Sequence, residues 1–357
     1  MDVTKTIIEL SNQFGVSGCE QNIARIAAGL IAPMVDEVII DRFGNLVAKR
    51  FSNEYNAPTL LLDAHLDQIG AMVTEITAEG FLRFTPIGGI DQRVMLGQTL
   101  LVRTRCRGLI KGIVATIPPH LLIHMDATTA TPTSEMLVDL GRKADEVKNI
   151  VHPGDYITFA DESFEMADGL ICGKAMDDRA CFVSILYALE LIKDSPIPCN
   201  LIITGTTKEE IGFVGASVCS YRYPADLAVS VDVCHAETED SLPKDDVFPL
   251  KGGPVIFTGA NSLPAAAALL RQIAQKNDIP TRLAAVAAES YINAWTMQVA
   301  GTGTATVGIN LPLKYMHTPV EIVSLQDIMA ISRLLACLIT EATPQNLCFG
   351  GDVTWKN

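Results

Sequence analysis

The fold is decided by the stretch Leu201-Ile202-Ile203-Thr204-Gly205-Thr206-Thr207-Lys208-Glu209-Glu210-Ile211-Gly212. Its first half is apolar and β-branched, which predicts a buried strand. Two adjacent carboxylates, Glu209 and Glu210, stand where that strand ends. Like charges held close together repel each other unless a proton or a cation lies between them. A glutamate pair is by itself most often a solvated surface feature, so the interpretation depends on how other apolar runs of the chain end.

Two further apolar runs end in groups that can ligate a metal. Residues 59–64 run directly into His65 and Asp67, and residues 227–231 are followed by Asp232. Short continuous apolar runs are typical of strands buried in a parallel sheet. In an open α/β sheet, ligand sites lie beyond the carboxyl ends of such strands. We therefore expect these side chains to meet at one edge of a sheet.

Two loops carry Asp177 and His317, which we expect to reach the same edge. Imidazole and carboxylate ligands together suit zinc, cobalt or manganese. Two such ions about 3.5–4 Å apart can polarise a carbonyl and lower the pKa of a shared water. The two ions need one carboxylate that bridges them. Each ion also needs an imidazole and a further carboxylate of its own, and one more carboxylate stays free as the general base. The chain offers six residues of these types: His65, Asp177, Glu209, Glu210, Asp232 and His317.

The order of the predicted elements indicates an α/β fold with an insertion. Apolar strands alternate with helices over residues 1–70 and 166–357, which predicts a mixed, mostly parallel sheet sandwiched by helices. Residues 71–165 contain short alternating strands separated by glycines, which predicts a small inserted β-barrel or sandwich. A length of 357 residues agrees with two such units.

Charge and composition exclude several partners. The chain has 27 basic and 41 acidic residues, a formal net charge of −14, and no basic cluster that would attract nucleic acid. No apolar stretch reaches the roughly 20 residues of a membrane span. The first residues lack the basic and apolar blocks of a signal peptide. Nine scattered cysteines without a CxxC pair indicate reduced thiols. We expect a cytoplasmic protein with no nucleic-acid or membrane partner.

Five segments, taken in order, carry a resemblance to a known family. They are DAHLDQIG (63–70), GKAMDDRA (173–180), KEEIGFVGA (208–216), SVD (230–232) and LPLKYMHTPVE (311–321). Together they resemble the cytoplasmic co-catalytic metallo-aminopeptidases of the glutamyl-aminopeptidase and tetrahedral-aminopeptidase type, over nearly the whole chain. The resemblance implies a zinc-exopeptidase-like fold and an enzyme that removes N-terminal residues from short peptides.

The resemblance also implies cofactors and an assembly. It implies two divalent metal ions per subunit, zinc or cobalt first and manganese second. The inserted segment, including Ile117-Pro118-Pro119-His120, resembles that family's β-barrel dimerisation domain. We therefore expect a homo-oligomer built from dimers, with the family's hollow dodecamer as the largest form.

Each candidate residue receives a role from the same resemblance. The implied metal ligands are His65, Asp177, Glu210, Asp232 and His317. Asp177 would bridge the two ions. Glu209 would be the general base that acts on the water held between the metals, and Asp67 would orient the imidazole of His65.

Some positions depart from the family pattern. Gln68 stands for the usual Glu, Cys181 for Gly and Asn293 for Asp, while Lys208 and Lys314 replace Gln and Arg. These changes keep the implied ligands but remove two carboxylates near the site. A non-catalytic binding or scaffold subunit is therefore an alternative function. A second alternative is a hydrolase of another amide or of a glycoside, for which a carboxylate pair without metals suffices.

Several neighbouring residues have ordinary structural interpretations. Asp178 is predicted to cap the helix that follows it, or to pair with Arg179. Ser17 or Gly18 is predicted to cap the second helix of the chain. His235, three residues past Asp232, is predicted to be a surface imidazole.

Overall fold

The main sheet forms because four apolar runs lie side by side with both faces covered. The computed structural model of the chain describes residues 1–116, 130–241, 246–347 and 349. Within them the sheet has eight strands, in the spatial order β1 (Glu37–Ile40), β2 (Leu46–Arg50), β12 (Asn200–Thr206), β3 (Thr59–His65), β13 (Leu227–His235), β16 (Thr306–Leu313), β14 (Val255–Gly259) and β15 (Arg282–Val286). The central strands β12, β3, β13 and β16 are parallel and almost wholly buried, as continuous apolar runs predict. This confirms the mixed, mostly parallel sheet.

Helices cover both faces of that sheet and hold its loops in place. They are α1 (Val3–Ser11), α2 (Gln21–Ile31), α4 (Met176–Leu191), α5 (Val214–Arg222), α6 (Pro264–Lys276), α7 (Ala294–Met297) and α8 (Leu325–Glu341). A further helix, α3 (Ala144–Ile150), lies in the inserted segment, where Val147 and Ile150 join its apolar core. Helix α4 packs against β3, β13, α1 and α8, so almost all of its residues are buried and it shows little amphipathic pattern. No helix in the described ranges is both long and apolar enough to cross a membrane.

The glycine-rich segment forms a closed antiparallel barrel, as predicted. Its strands are β4 (Gly70–Ile76), β5 (Leu82–Ile87), β6 (Thr99–Thr104), β7 (Gly108–Val114), β8 (Val138–Asp139) and β9 (Tyr156–Phe159). Alternating side chains such as Val73, Leu82 and Val102 fill its interior, which is the period-two pattern of a half-buried strand. The division at residues 71 and 165 stays a prediction, and the motif at residues 117–120 lies outside the described residues.

A small three-stranded sheet joins the two parts of the chain. It consists of β10 (Phe164–Glu165), β11 (Leu170–Gly173) and β17 (Glu321–Ser324), paired in that order. The sequence patterns did not predict it, because two of its strands are short and one follows the loop that carries His317. This sheet matters for the site because it places the start of α4 beside that loop.

Two local predictions are wrong. Asp232 lies inside β13, which continues to His235, and does not terminate the strand. Ser17 and Gly18 do not cap α2, whose N-cap is Glu20 without a side-chain bond, because the Ser17 hydroxyl donates to Asp67 instead. The helix after the glutamate pair, α5, begins at Val214, because the intervening residues form turns.

Candidate metal centre

The carboxyl edge of the parallel strands brings the predicted residues together. His65 is the last residue of β3, and Asp232 lies near the end of the adjacent β13. Glu209 and Glu210 follow three and four residues after β12 ends at Thr206. The other two groups arrive from loops, because Asp177 lies in the first turn of α4 and His317 follows β16.

Asp177 lies between the two imidazoles. Its Oδ1 is 3.0 Å from Nε2 of His65, and its Oδ2 is 3.4 Å from Nε2 of His317. Each carboxylate oxygen therefore faces a different histidine, which is the arrangement that a bridging ligand requires. Burial alone would raise the pKa of Asp177, but hydrogen bonds from His317 and His65 outweigh it and hold that pKa below its usual value.

Two overlapping groups of donor atoms are close enough to surround a cation. Atoms of His65, Asp177 and Glu210 lie within 4.8 Å of one another, and so do atoms of His65, Asp178 and Asp232. Ligand atoms about 2.0–2.2 Å from one ion are separated by roughly 3–4 Å, so both groups are near that spacing. Nε2 of His317 also lies 3.4 Å from Oε2 of Glu210.

The centre buries more negative charge than its own residues can balance. Burial, together with the charge of nearby Asp177, raises the pKa of Glu210 and of Asp232 to about 8. Burial also raises the pKa of Glu209 well above its usual value. Oδ2 of Asp232 is buried and has no hydrogen-bond partner in the described part of the chain. Such a group requires a proton or a cation, so the donor set fits divalent metal ions.

Asp67 connects the first histidine to the glutamate pair. Its carboxylate accepts hydrogen bonds from the Ser17 hydroxyl at 2.6 Å and from the backbone N–H groups of Glu209 and Glu210 at 3.1 and 3.3 Å. Nδ1 of His65 lies 3.5 Å from Oδ1 and 3.1 Å from the backbone oxygen of Asp67. Burial would raise the pKa of Asp67, but contact with His65 and these donors lowers it.

Glu321 is a residue of the site that the sequence interpretation missed. Its carboxylate is buried and accepts hydrogen bonds from the backbone N–H groups of Met176, Asp177 and His317, at 2.8, 3.2 and 2.9 Å. Glu321 therefore fixes the backbone of Asp177 relative to the backbone of His317. The sequence did contain a signal that could have identified Glu321, because this carboxylate lies in the same motif as His317, four residues later.

The prediction for Asp178 is wrong. Ala175 is the N-cap of α4, and Asp178 is wholly buried with Oδ2 accepting from the backbone N–H of His65 at 3.0 Å. Arg179 does not pair with it, because its guanidinium donates to backbone carbonyls that include those of Leu66 and Leu10. Asp178 therefore lies beside the candidate metal centre, against the backbone of His65. The two adjacent aspartates in the sequence do not indicate this position.

Three of the departures from the family pattern make hydrogen bonds close to the candidate centre. Gln68 is buried between the backbone of Gln13 and the amine of Lys174. Asn293 donates to Asp63 at 2.7 Å and to the Thr206 hydroxyl at 2.9 Å. The Cys181 thiol donates to the backbone oxygen of Asp232 at 3.1 Å.

A cavity of about 470 Å³ opens directly from the centre. One end is lined by the cluster, including His65, Asp177 and Glu209, and the other end by the loop between β15 and α7. His235 is exposed and lines this cavity, so it is a surface imidazole, but one beside the site. The volume is that of a small-molecule site.

Comparisons with known proteins agree with this geometry. A family model described as M42 glutamyl aminopeptidase matches residues 44–334. Lysyl aminopeptidase of Pyrococcus furiosus is 29% identical over 350 residues, which cover 97% of this chain and 98% of that protein.

Solved structures extend the likeness to the whole fold. An aminopeptidase from the archaeon Desulfurococcus kamchatkensis is similar with a TM-score of 0.92 and 32% identity, over 99% of both chains. The TET1 peptidase of Pyrococcus horikoshii, which can assemble into a tetrahedron or a large octahedral shell, has a TM-score of 0.83 and 26% identity. That match covers 95% of this chain and 100% of the other.

Proposed function

Since this chain belongs to the M42 glutamyl aminopeptidase family, we propose that it removes N-terminal residues from short peptides with two divalent metal ions bound at the sheet edge. The family membership confirms the resemblance seen in the motifs, and it makes the chain an aminopeptidase. One observation carries the metal part of the proposal, namely that the two oxygens of Asp177 face two different imidazoles.

We assign the ligands by proximity. Asp177 would be shared by both ions, since each of its oxygens faces a different imidazole. We assign His65 and Asp232 to one ion, because their donor atoms lie within 4.8 Å of each other. We assign His317 and Glu210 to the other, because Nε2 of His317 lies 3.4 Å from Oε2 of Glu210. Imidazole and carboxylate donors favour zinc or cobalt, with manganese as the next candidate.

The metal ions, when bound, supply Lewis acidity to the scissile carbonyl and to a water beside it. Glu209 takes the proton of that water and delivers it to the leaving amine. It suits this task because it is nine-tenths buried at the cavity wall and its pKa is raised by burial and by neighbouring carboxylates. Asp67 holds the backbone of Glu209 and orients His65, so it is a positioning residue.

The cavity accounts for cleavage at the N-terminus of a peptide. It opens directly from the metal centre, so the first side chain of a peptide can enter it while the scissile bond lies at that centre. The free α-amine carries a positive charge and is stabilised by the carboxylates that line the cluster end.

We propose that the barrel mediates assembly into a homo-oligomer. Leu109 and Ile113 lie on the same side of β7 and are 51% and 50% exposed. Exposed apolar side chains on one strand face are typical of a protein interface. The large assemblies of the Pyrococcus horikoshii relative support this proposal, as its fold covers nearly all of this chain. We also propose that the protein is cytoplasmic, because its nine scattered cysteines without a CxxC pair indicate reduced thiols.

Chelation tests the metal requirement. Removing metal with a chelator is expected to abolish cleavage of a panel of aminoacyl anilides, and adding zinc, cobalt or manganese is expected to restore it. Activity that persists after exhaustive metal removal would contradict the proposal. Cleavage of a polysaccharide under those conditions would favour the glycosidase alternative, and bound metal without turnover on any anilide or peptide would favour a scaffold.

A further inference from the structure

We propose that the cavity selects peptides whose first residue is lysine or arginine, and that Glu289 and Ser290 recognise the cationic end of that side chain. This inference rests on the proposed aminopeptidase function and adds the substrate class. It follows from the walls of the cavity, from the balance of charge along it and from an unsatisfied hydroxyl at its far end.

The walls between the two ends of the cavity are apolar. The apolar residues of the lining include Phe248, Phe257, Val286, Ile292 and Met316. Such a surface stabilises an aliphatic or aromatic side chain that extends away from the metal centre. The four-carbon stem of lysine and the three-carbon stem of arginine fit this requirement, because these side chains bury their methylenes and keep the charged group at a polar end.

Charge is unbalanced at the end away from the metals. Four carboxylates of the cluster, those of Asp177, Glu209, Glu210 and Asp232, line one end of the cavity. Asp246 and Glu289 also line the cavity, and no lysine or arginine does so among the described residues. The carboxylates of Asp246 and Glu289 therefore have no lysine or arginine beside them in the described lining of the cavity. They attract a cationic side chain and repel a carboxylate.

Ser290 provides an independent sign that this end binds a polar ligand. It is 9% exposed, lines the cavity, and its hydroxyl oxygen is buried with no hydrogen-bond partner in the described residues. A buried hydroxyl without a partner is costly unless a ligand or water satisfies it. The ammonium of lysine has three N–H donors and the guanidinium of arginine has five, enough to reach both Glu289 and Ser290.

The loop that carries Glu289 and Ser290 is held in place by hydrogen bonds to the main sheet. Asn293, three residues past Ser290, donates to the buried carboxylate of Asp63 and to the Thr206 hydroxyl, at 2.7 and 2.9 Å. Thr206 is the end of β12, so the loop is tied to the same strand that leads to Glu209. This tie gives the departure at position 293 a role, because the amide of asparagine can donate to Asp63 whereas an ionised carboxylate cannot. The recognition groups are thereby held at a constant distance from the reacting centre.

Substrate preference tests the inference on the metal-loaded enzyme. We expect kcat/KM for lysine and arginine anilides to exceed that for the glutamate anilide by about 100-fold or more, since repulsion and a lost charged hydrogen bond act together. Glu289→Gln is expected to lower the ratio of kcat/KM for lysine over leucine by about 10- to 100-fold. Glu165→Gln, which removes a carboxylate from an exposed strand outside the cavity, should leave that ratio unchanged.

A binding measurement separates failure of the inference from failure of the proposed function. If no anilide is cleaved, calorimetric titration of the metal-loaded protein with L-lysinamide and L-leucinamide still compares the two side chains. Tighter binding of lysinamide that is lost in Glu289→Gln supports the inference without any turnover. Preference for leucine or glutamate substrates over lysine, or a lysine-to-leucine ratio that Glu289→Gln does not change, would overturn it.

Discussion

The interior of the barrel and the edge of the main sheet are both shielded from water, yet they bury opposite kinds of side chain. The barrel core consists of apolar residues such as Val73, Leu82 and Val102. The sheet edge buries Asp67, Asp178 and other ionisable groups within a few ångströms of each other. The barrel gains stability from what it buries. The edge loses stability unless cations compensate its charge, which is the cost of holding a reactive centre.

The largest expected effect separates chemistry from metal binding at the sheet edge. Glu209→Gln removes a proton acceptor but keeps the shape of the side chain. Loss of a general base is expected to reduce kcat by about 10²- to 10⁴-fold. The metal content, measured by mass spectrometry, should stay that of the wild type because Glu209 is not an assigned ligand. A variant with undiminished kcat would show that another group moves the proton.

A core substitution in the barrel should lower the stability of the protein without affecting the metal centre. Leu82 is fully buried there, so Leu82→Ala is expected to lower the free energy of unfolding by about 2–5 kcal/mol. The metal content of the folded fraction should not change, because Leu82 is neither an assigned ligand nor part of the lining of the cavity. Chemical denaturation followed by fluorescence measures the shift of the transition.

The matched control for that substitution is Leu191→Ala. Leu191 is 46% exposed at the end of α4, so its removal is expected to cost less than about 1 kcal/mol. If both variants were equally destabilised, the barrel interior would not be the packed core described here.

The smallest expected effect is a pH dependence confined to the metal-free protein. The folded-state pKa values of Glu210 and Asp232 are raised to about 8, and that of His317 to about 10. A folded state with raised pKa values binds more protons than the unfolded chain, so its stability falls as the pH rises. The fall begins near pH 4 for the carboxyl groups and near pH 6.5 for His317, and continues to the folded-state values.

Thermal unfolding at several pH values measures this dependence. We expect the melting temperature of the metal-free protein to drop between pH 6 and pH 9, and that of the metal-loaded protein to change less. Metal bound to ionised carboxylates and neutral imidazoles removes the need for those protons. Equal pH profiles for the two forms would mean that the buried charges are balanced in another way.

The sequence was sufficient wherever local pattern determines structure. Continuous apolar runs predicted β3, β12 and β13, and alternating residues predicted four strands of the barrel. The convergence of His65, Glu209 and their partners could also be predicted, because parallel strands bring their carboxyl ends to one edge.

What the sequence could not provide are contacts that depend on the path of the whole chain. Glu321 acts through three backbone N–H groups from two distant segments, which no spacing in the sequence encodes. Asp178 looked like a helix cap, and only the packing of α4 against the sheet puts it beneath His65. The cavity wall could not be predicted either, because Phe257 and Ser290 come from β14 and from a loop that has no pattern of its own.

The count of bound metal ions tests the central claim most directly. After loading with zinc or cobalt and removal of free metal, elemental mass spectrometry should find two ions per chain. Asp177→Asn, which weakens the shared ligand, should reduce this to one or fewer, whereas Asp194→Asn on the exposed surface should keep two. A wild-type chain that binds no divalent ion, or an Asp177→Asn variant that holds two as firmly as the wild type, would contradict the account.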